Sequence, residues 1–391
     1  MKNYRVEVPK VARDQLEIKD GEPLAMWVEG NQLVIRPLRL ADSLPQIKLR
    51  WYFGPALVLT LLFYANMINQ GYHLLPLVGG DSVASASLYL ATLSGLLAFA
   101  STFISQKRHH RGRAQEFSWR AMISIMVACG TITAFSLVAG AWLVGSLFHG
   151  AVFDIYTAGA LIFLVIAMVT YIMINLAMTI SPGVITNLMT FMIIGGVFFS
   201  MLTNSNKDWW RHNFSFLGTA NSSNSWQFNI TLIFSAMLML TLIDYLFVNL
   251  SKKYPGWRVQ VTRWLLNLMA ACLGGVGLFP NDPRFHLLHD RIAMWMVYTM
   301  LILVVVVRWT MPMMTKTFLT LSYVIGGVLA VSYIAFKFVR YLSLTAFEML
   351  AFGIAFSWIL LLFQLIEAVV QRDVRLFTVE LVAEENDEVS H

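Results

Sequence analysis

Long apolar runs dominate the pattern of the chain from residue 51 onward. Each run is about as long as a helix that crosses roughly 30 Å of hydrocarbon. The pattern therefore predicts an all-α polytopic membrane protein with about ten transmembrane helices. The predicted spans are 52–72, 83–105, 119–147, 152–179, 184–204, 226–250, 259–279, 285–307, 317–337 and 344–370.

The first forty residues follow a different, alternating pattern. Apolar side chains stand at every second position in 24–28 and again in 33–35, on either side of the turn Gly30-Asn31. This spacing is typical of a β-hairpin. A segment of about forty residues buries little apolar surface alone, so we expect it to need a partner. The sequence thus adds a small N-terminal β-rich domain to the helical membrane region.

Composition agrees with a membrane protein and excludes two kinds of cysteine site. Of the 391 residues, 58% are hydrophobic and 13% are charged, whereas soluble domains have about 25% charged residues. The formal charge of +6 is not a nucleic-acid signal, since the basic residues of the first forty are nearly balanced by acids. Cys129 and Cys272 both lie in apolar runs, which excludes a disulfide framework and a cysteine metal cluster.

Basic residues concentrate in alternate connections between the spans. Fifteen lie in connections on the side of the N-terminus: Lys48, Arg50, Lys107, Arg108, Arg111, Arg113, Arg120, Lys252, Lys253, Arg258, Arg263, Arg308, Lys316, Arg372 and Arg375. Six lie on the other side: Lys207, Arg211, Arg284, Arg291, Lys337 and Arg340. Because cytoplasmic connections are enriched in Lys and Arg, we expect a cell-membrane protein whose N- and C-termini are both cytoplasmic.

The segment from Val6 to Arg39 resembles the swapped-hairpin domain of the AbrB, SpoVT and MazE family. The likeness rests on a strand that ends in Pro9-Lys10, the turn at Lys19-Asp20-Gly21-Glu22 and the final hairpin. It implies a domain at 1–45 that forms a homodimer with interleaved hairpins. It also implies a DNA or protein partner in the cytoplasm, with DNA contacts from Lys2, Arg5, Lys10 and Arg13.

A second resemblance covers about half of the chain, from residue 182 to 370. The stretches His212–Gly218, Phe228-Asn229, Gly277–Asp282 and His286–Asp290 are similar to a six-span bacterial family catalogued as domain of unknown function 998. The likeness implies a fold and a site, not a reaction. It divides the rest of the chain into a four-helix region at 51–180 and an acidic tail at 371–391, in which 377–382 could form a strand.

Polar side chains concentrate on the outer side of the predicted spans. His286, His289 and Asp290 are spaced i, i+3 and i+4, so His286 shares a helical face with the other two. With His212 from the preceding outer connection, they are candidates for a zinc site or an acid–base pair. The alternative is that these histidines only make hydrogen bonds at the surface. Asp282-Pro283 is typical of a helix start, with Asp282 as the N-cap.

Among the acidic residues within predicted spans, Asp244 and Glu348 matter most, because a carboxylate in hydrocarbon needs a partner or a wet cavity. For Asp244 we expect an ion pair with Lys252, Arg258 or Arg263. Glu348 lies near the outer end of the last span, at about the depth of the two histidines. It is a candidate site residue, with pairing to Lys337 or Arg340 as the alternative.

Three functions remain open from the sequence. The first is a membrane-anchored regulatory or binding protein with an outer site for a lipid or small ligand. The second is a membrane enzyme that acts on lipids through His212, His286, His289, Asp290 and Glu348. The third is a secondary transporter coupled through intramembrane acids. No GxSxG, HExxH or nucleotide-binding motif occurs, and the sequence identifies no cofactor.

Overall fold

The computed structural model describes residues 47–109, 114, 117–206 and 208–371, and strands at 4–6, 24–29, 32–37 and 377–381. Within these residues, ten helices are long and apolar enough to cross a membrane, as the sequence predicts. They are α1 (Arg50–Asn69), α2 (Val83–Arg108), α3 (Trp119–Leu147), α4 (Ile155–Met178), α5 (Pro182–Thr203), α6 (Ser225–Lys253), α7 (Trp257–Leu278), α8 (His286–Thr310), α9 (Lys316–Lys337) and α10 (Leu344–Gln371).

Polar capping residues explain where several of these helices begin. The side chains of Ser82, Ser118, Asp154, Ser181 and Thr315 each accept a backbone N–H from the first turn of the helix that follows. Such a cap satisfies donors that have no partner inside the helix. The pKa of the Asp154 carboxyl lies below its usual range because the Thr157 hydroxyl and nearby backbone N–H groups donate to it.

Helix α6 is the centre of the second half of the helical unit. It packs against α5 and α7, and α8 packs in turn against α7. Glycines allow two of these close approaches. A Cβ atom at Gly196 of α5 would lie 2.2 Å from Thr231 Oγ1, and one at Gly277 of α7 would lie 2.7 Å from the backbone oxygen of Asn229. The neighbours of α6 therefore approach it at positions that leave no room for a side chain.

Connections that follow the odd-numbered helices lie together, at what we call the loop face. It comprises residues 70–82, 148–154, 204–224, 279–285 and 338–343. Strand β4 (Leu74–Pro76) pairs antiparallel with β5 (Val152–Asp154), which joins the first two of these connections. In the same way, the Ala220 N–H donates to Asp282 Oδ1 at 2.9 Å. This hydrogen bond joins the connection 204–224 to the connection 279–285.

Four further strands belong to a separate compact unit made of residues 1–46 and 368–391. They are β1 (Tyr4–Val6), β2 (Leu24–Glu29), β3 (Gln32–Pro37) and β6 (Phe377–Leu381), arranged in the order β1-β6-β2-β3. Strands β2 and β3 pair antiparallel, and β6 lies between β1 and β2. Lys2, Lys10 and Arg13 lie outside the described residues, so the AbrB-like domain stays a prediction.

Candidate functional site

A short 3-10 helix in the connection between α5 and α6 carries the first part of the site. It extends from Phe214 to Gly218 and is fixed at both ends. The Phe214 N–H donates to Glu348 Oε2 at 2.6 Å, and Asn229 Nδ2 donates to the Gly218 oxygen at 3.0 Å. A Cβ atom at Gly218 would lie 2.4 Å from Asn229 Oδ1, so a side chain there would displace the Asn229 amide. Half-buried Ser215 is held between these two attachments.

His289 is the residue that links the separate segments of the site. It lies four residues into α8 with only 3% of its surface exposed. Its Nδ1 is 2.7 Å from the Phe279 backbone oxygen, and its Nε2 is 3.2 Å from Ser215 Oγ. Because a carbonyl oxygen only accepts hydrogen bonds, the neutral ring carries its proton on Nδ1. Nε2 is then the acceptor, and the Ser215 hydroxyl donates to it.

Glu348 lies five residues into α10 and is half-buried. Its hydrogen bond from the Phe214 N–H attaches α10 to the 3-10 helix. Among the described residues, no cationic side chain forms an ion pair with Glu348, so neither Lys337 nor Arg340 neutralises it there.

Asp244 is a useful contrast, because it also lies within a span. Arg263 Nη2 lies 2.8 Å from Asp244 Oδ1, which is one of the three ion pairs considered from the sequence. Asp244 is nearer the end of α6 that is away from the loop face. Of the two acids, the structure therefore provides a cation for Asp244, while Glu348 has a backbone donor.

His286 is on the exposed side of α8. Its Nδ1 is 2.5 Å from Asn281 Oδ1, and its Nε2 is 3.4 Å from Asp290 Oδ2. The i, i+4 pair expected from the sequence is therefore present, with more than half of both side chains exposed. His289, one turn along, is directed into the protein instead. The two histidines consequently have different partners.

His212 shares no described contact residue with His286 or His289. Its ring stacks on Phe216, with centroids 4.7 Å apart and planes inclined by 12°. In the part of the chain that the structure describes, no group of three or more His, Cys, Asp or Glu side chains could hold a metal ion. The structure thus links His289 and Glu348 to the same short 3-10 helix, through Ser215 and Phe214. It pairs His286 with Asp290 and does not join His212 to these residues as a metal ligand.

The expected helix start at Asp282 is wrong by three residues. Helix α8 begins at His286, after a turn in which the Phe285 N–H donates to the Asp282 oxygen. The Asp282 side chain accepts from Ala220 of the neighbouring connection. The Asp282 side chain therefore forms a tertiary hydrogen bond instead of the helix cap that the local sequence pattern predicts.

Sequence reasoning did not identify Ser215 as a member of the site. The residue lies in Phe214-Ser215-Phe216, without a motif of nucleophilic serines, and its partner is 74 positions away. A single hydroxyl between two phenylalanines, in a tripeptide that follows polar Asn213, was the available signal. The role of the Phe279 carbonyl could not be predicted from the sequence, since every residue has a backbone carbonyl.

Comparison with known proteins covers the whole of this site. Residues 188–364 match the family described as "Protein of unknown function (DUF998)". No curated protein matches the chain, and no solved structure matches it. The matched region contains the connection 204–224, helix α8 and Glu348. The part of this integral membrane protein that carries the candidate site is therefore similar to a family of proteins whose function is unknown.

Proposed function

We propose that the loop-face site binds the head group of a membrane amphiphile that carries hydrogen-bond donors or a positive charge. The observation that carries this proposal is the location of the Glu348 carboxylate and its lack of a cationic partner among the described residues. Its carboxylate lies within a span, with a backbone N–H as its described partner. A head group with an ammonium or several hydroxyls supplies further donors to this carboxylate.

The energetic argument follows from the cost of placing a carboxylate in hydrocarbon. Such groups within membrane spans are expensive, and they pair with a cation or mark a binding site. Asp244 follows the first course through Arg263. Glu348 accepts one hydrogen bond, whereas an ionised carboxylate has about four acceptor positions. A bound donor group would stabilise the charged form through hydrogen bonds that each contribute about 1.5–3 kcal/mol.

The depth of the site supports a ligand that comes from the bilayer. His289 is four residues into α8, and Glu348 is five residues into α10, both counted from the loop face. At about 1.5 Å per residue, each side chain is within one or two turns of the helix end. This is the level at which the polar parts of lipids meet their chains, so an amphiphile reaches the site without leaving the membrane.

Binding of two lipids with different head groups tests the proposal. We expect the purified full-length protein to retain phosphatidylethanolamine, which has an ammonium, in preference to phosphatidylglycerol of the same chain length. Replacement Glu348→Gln removes the charge at nearly constant shape and should weaken this preference about tenfold. Native mass spectrometry at graded lipid concentrations measures the retention.

The matched control is Asp244→Asn, which removes a span carboxylate whose partner is the cationic Arg263. It should leave the preference unchanged, because Asp244 is at the far end of α6 from the site. Equal retention of both lipids by the unchanged protein, or an equal effect of the two substitutions, would contradict the assignment of Glu348 as the head-group acceptor.

We also propose that the loop face is extracellular and that both termini are cytoplasmic, in the cell membrane. The support is the fifteen-to-six distribution of basic residues given above. Cysteines introduced at Asn221 and Arg111 test this orientation with an impermeant thiol reagent. Position 221 should react in intact cells, and position 111 only after lysis. The reverse result would invert the orientation.

The N-terminal resemblance adds a regulatory proposal, in which residues 1–45 form an interleaved homodimer and contact DNA through Lys2, Arg5, Lys10 and Arg13. Its support within the described residues is the antiparallel pairing of β2 with β3. The proposal requires a cytoplasmic N-terminus. The labelling experiment would therefore overturn DNA binding as well, if position 111 reacted from outside the cell.

A further inference from the structure

We infer that Ser215 and His289 form a nucleophilic pair that cleaves an acyl ester of a membrane lipid. The inference rests on the proposed function in one respect, namely that an amphiphile reaches the loop face. It goes beyond that function because it assigns a reaction to residues that binding does not require. Its basis is the chain of contacts from Ser215 Oγ through the His289 ring to the Phe279 oxygen.

The first argument is the direction of the hydrogen bonds. The Phe279 oxygen fixes the proton on Nδ1 at 2.7 Å, which leaves the lone pair of Nε2 directed at Ser215 Oγ at 3.2 Å. A serine whose hydroxyl donates to an imidazole, with that imidazole oriented by a third group, is the arrangement of an activated nucleophile. Here the third group is a backbone carbonyl rather than a carboxylate.

The second argument is the difference in exposure between the two residues. The His289 ring is buried, with 3% of the residue exposed, so little water competes for Nε2. Ser215 is half-buried, so part of the residue is exposed. A histidine that served only to join segments would need no accessible partner, whereas a nucleophile must be reachable by its substrate.

The third argument is the fixed position of Ser215. The Phe214 N–H is held by Glu348 on one side, and Asn229 holds the Gly218 oxygen on the other. The backbone that carries the hydroxyl is thus attached to both α10 and α6. Such attachment restricts the nucleophile to one orientation before substrate binds, which lowers the entropic cost of reaching the transition state.

The reaction has balanced steps with water as the co-reactant. Ser215 Oγ forms a bond to the ester carbonyl carbon while its proton moves to His289 Nε2. The bond to the alcohol oxygen then breaks, and that oxygen takes the proton from Nε2, which leaves an acyl-serine. Water attacks the acyl group and gives a proton to Nε2. Release of the carboxylic acid returns that proton to Ser215, and no oxidation or reduction occurs.

The depth of the pair indicates the substrate class. His289 lies within about one turn of the loop-face end of α8, where the polar part of a bilayer lipid meets its chains. In a glycerolipid the ester groups join these two parts. A lipid ester therefore presents its carbonyl at the depth of Ser215, while its chains stay in hydrocarbon.

Two fluorophosphonates test the inference on the full-length protein in lipid vesicles. Attack of Ser215 on either probe forms an Oγ–P bond and releases fluoride, and mass spectrometry locates the modified residue. We expect modification at Ser215, with a hexadecyl probe faster than diisopropyl fluorophosphate. Ser215→Ala should abolish it, and His289→Gln should slow it about a hundredfold. Ser223→Ala, which changes a serine of the same connection, should leave the rate unchanged.

Three outcomes would overturn the inference or part of it. Absence of modification at Ser215 in folded protein removes the nucleophile. An undiminished rate in folded His289→Gln removes the base. Equal rates for the two probes contradict a bilayer substrate and assign a water-soluble ester instead. Failure of this test leaves phosphatidylethanolamine retention unaffected, whereas modification of Ser215 without that retention would refute the proposed head-group site alone.

Discussion

Substitution Gly196→Ala is expected to lower the free energy of unfolding by about 3 kcal/mol. The added Cβ atom would lie 2.2 Å from Thr231 Oγ1 and 2.9 Å from Thr231 Cβ. Thr231 is fully buried, and its hydroxyl donates to the Gln227 oxygen at 2.7 Å. Because the Cβ of Thr231 is fixed to the backbone, α5 and α6 themselves must move apart.

The adjacent residue is a matched control on the same helix. A Cβ atom at Gly195 would have nothing within 4 Å, so Gly195→Ala should leave stability unchanged or raise it by about 0.5 kcal/mol through helix propensity. Unfolding is measured with a thiol-reactive dye, since Cys129 and Cys272 are both free and buried. Equal shifts for the two variants would show that this contact does not hold α5 against α6.

The sequence predicted the spans well because their signal is local. Ten apolar runs became ten helices, with bounds that differ by only a few residues. The adjacent residues Gly195 and Gly196 show the limit of such local information, since only Gly196 faces a neighbouring helix. Composition can show that a span contains small residues, whereas the choice of face depends on how the partner helix is rotated.

The candidate site was only partly predictable, for the same physical reason. Helical spacing placed His286 beside Asp290, and that contact is present. It did not show that His289 is directed away from His286, toward Ser215 and Phe279. Those partners lie 74 and 10 positions away in the chain, and their approach is set by the packing of α6, α7 and α8. The proposed nucleophile thus became visible only in three dimensions.

Substitution His289→Ala is the second change for which we expect a large effect, a loss of about 2 kcal/mol in the free energy of unfolding. The ring makes hydrogen bonds with the Ser215 hydroxyl and the Phe279 oxygen. Removal of one partner from a buried polar group costs about 1–3 kcal/mol. The variant also loses the packing of a residue of which only 3% is exposed.

His286→Ala is the comparison on the same helix, because the His286 side chain is 57% exposed. Surface substitutions of this kind usually change stability by less than about 0.5 kcal/mol. The thiol-reactivity assay should therefore separate the two alanine variants clearly. If His286→Ala were as destabilising as His289→Ala, the buried ring would not be the link between the connection 204–224 and α8. The fixed geometry from which we infer a nucleophilic Ser215 would then lose its structural support.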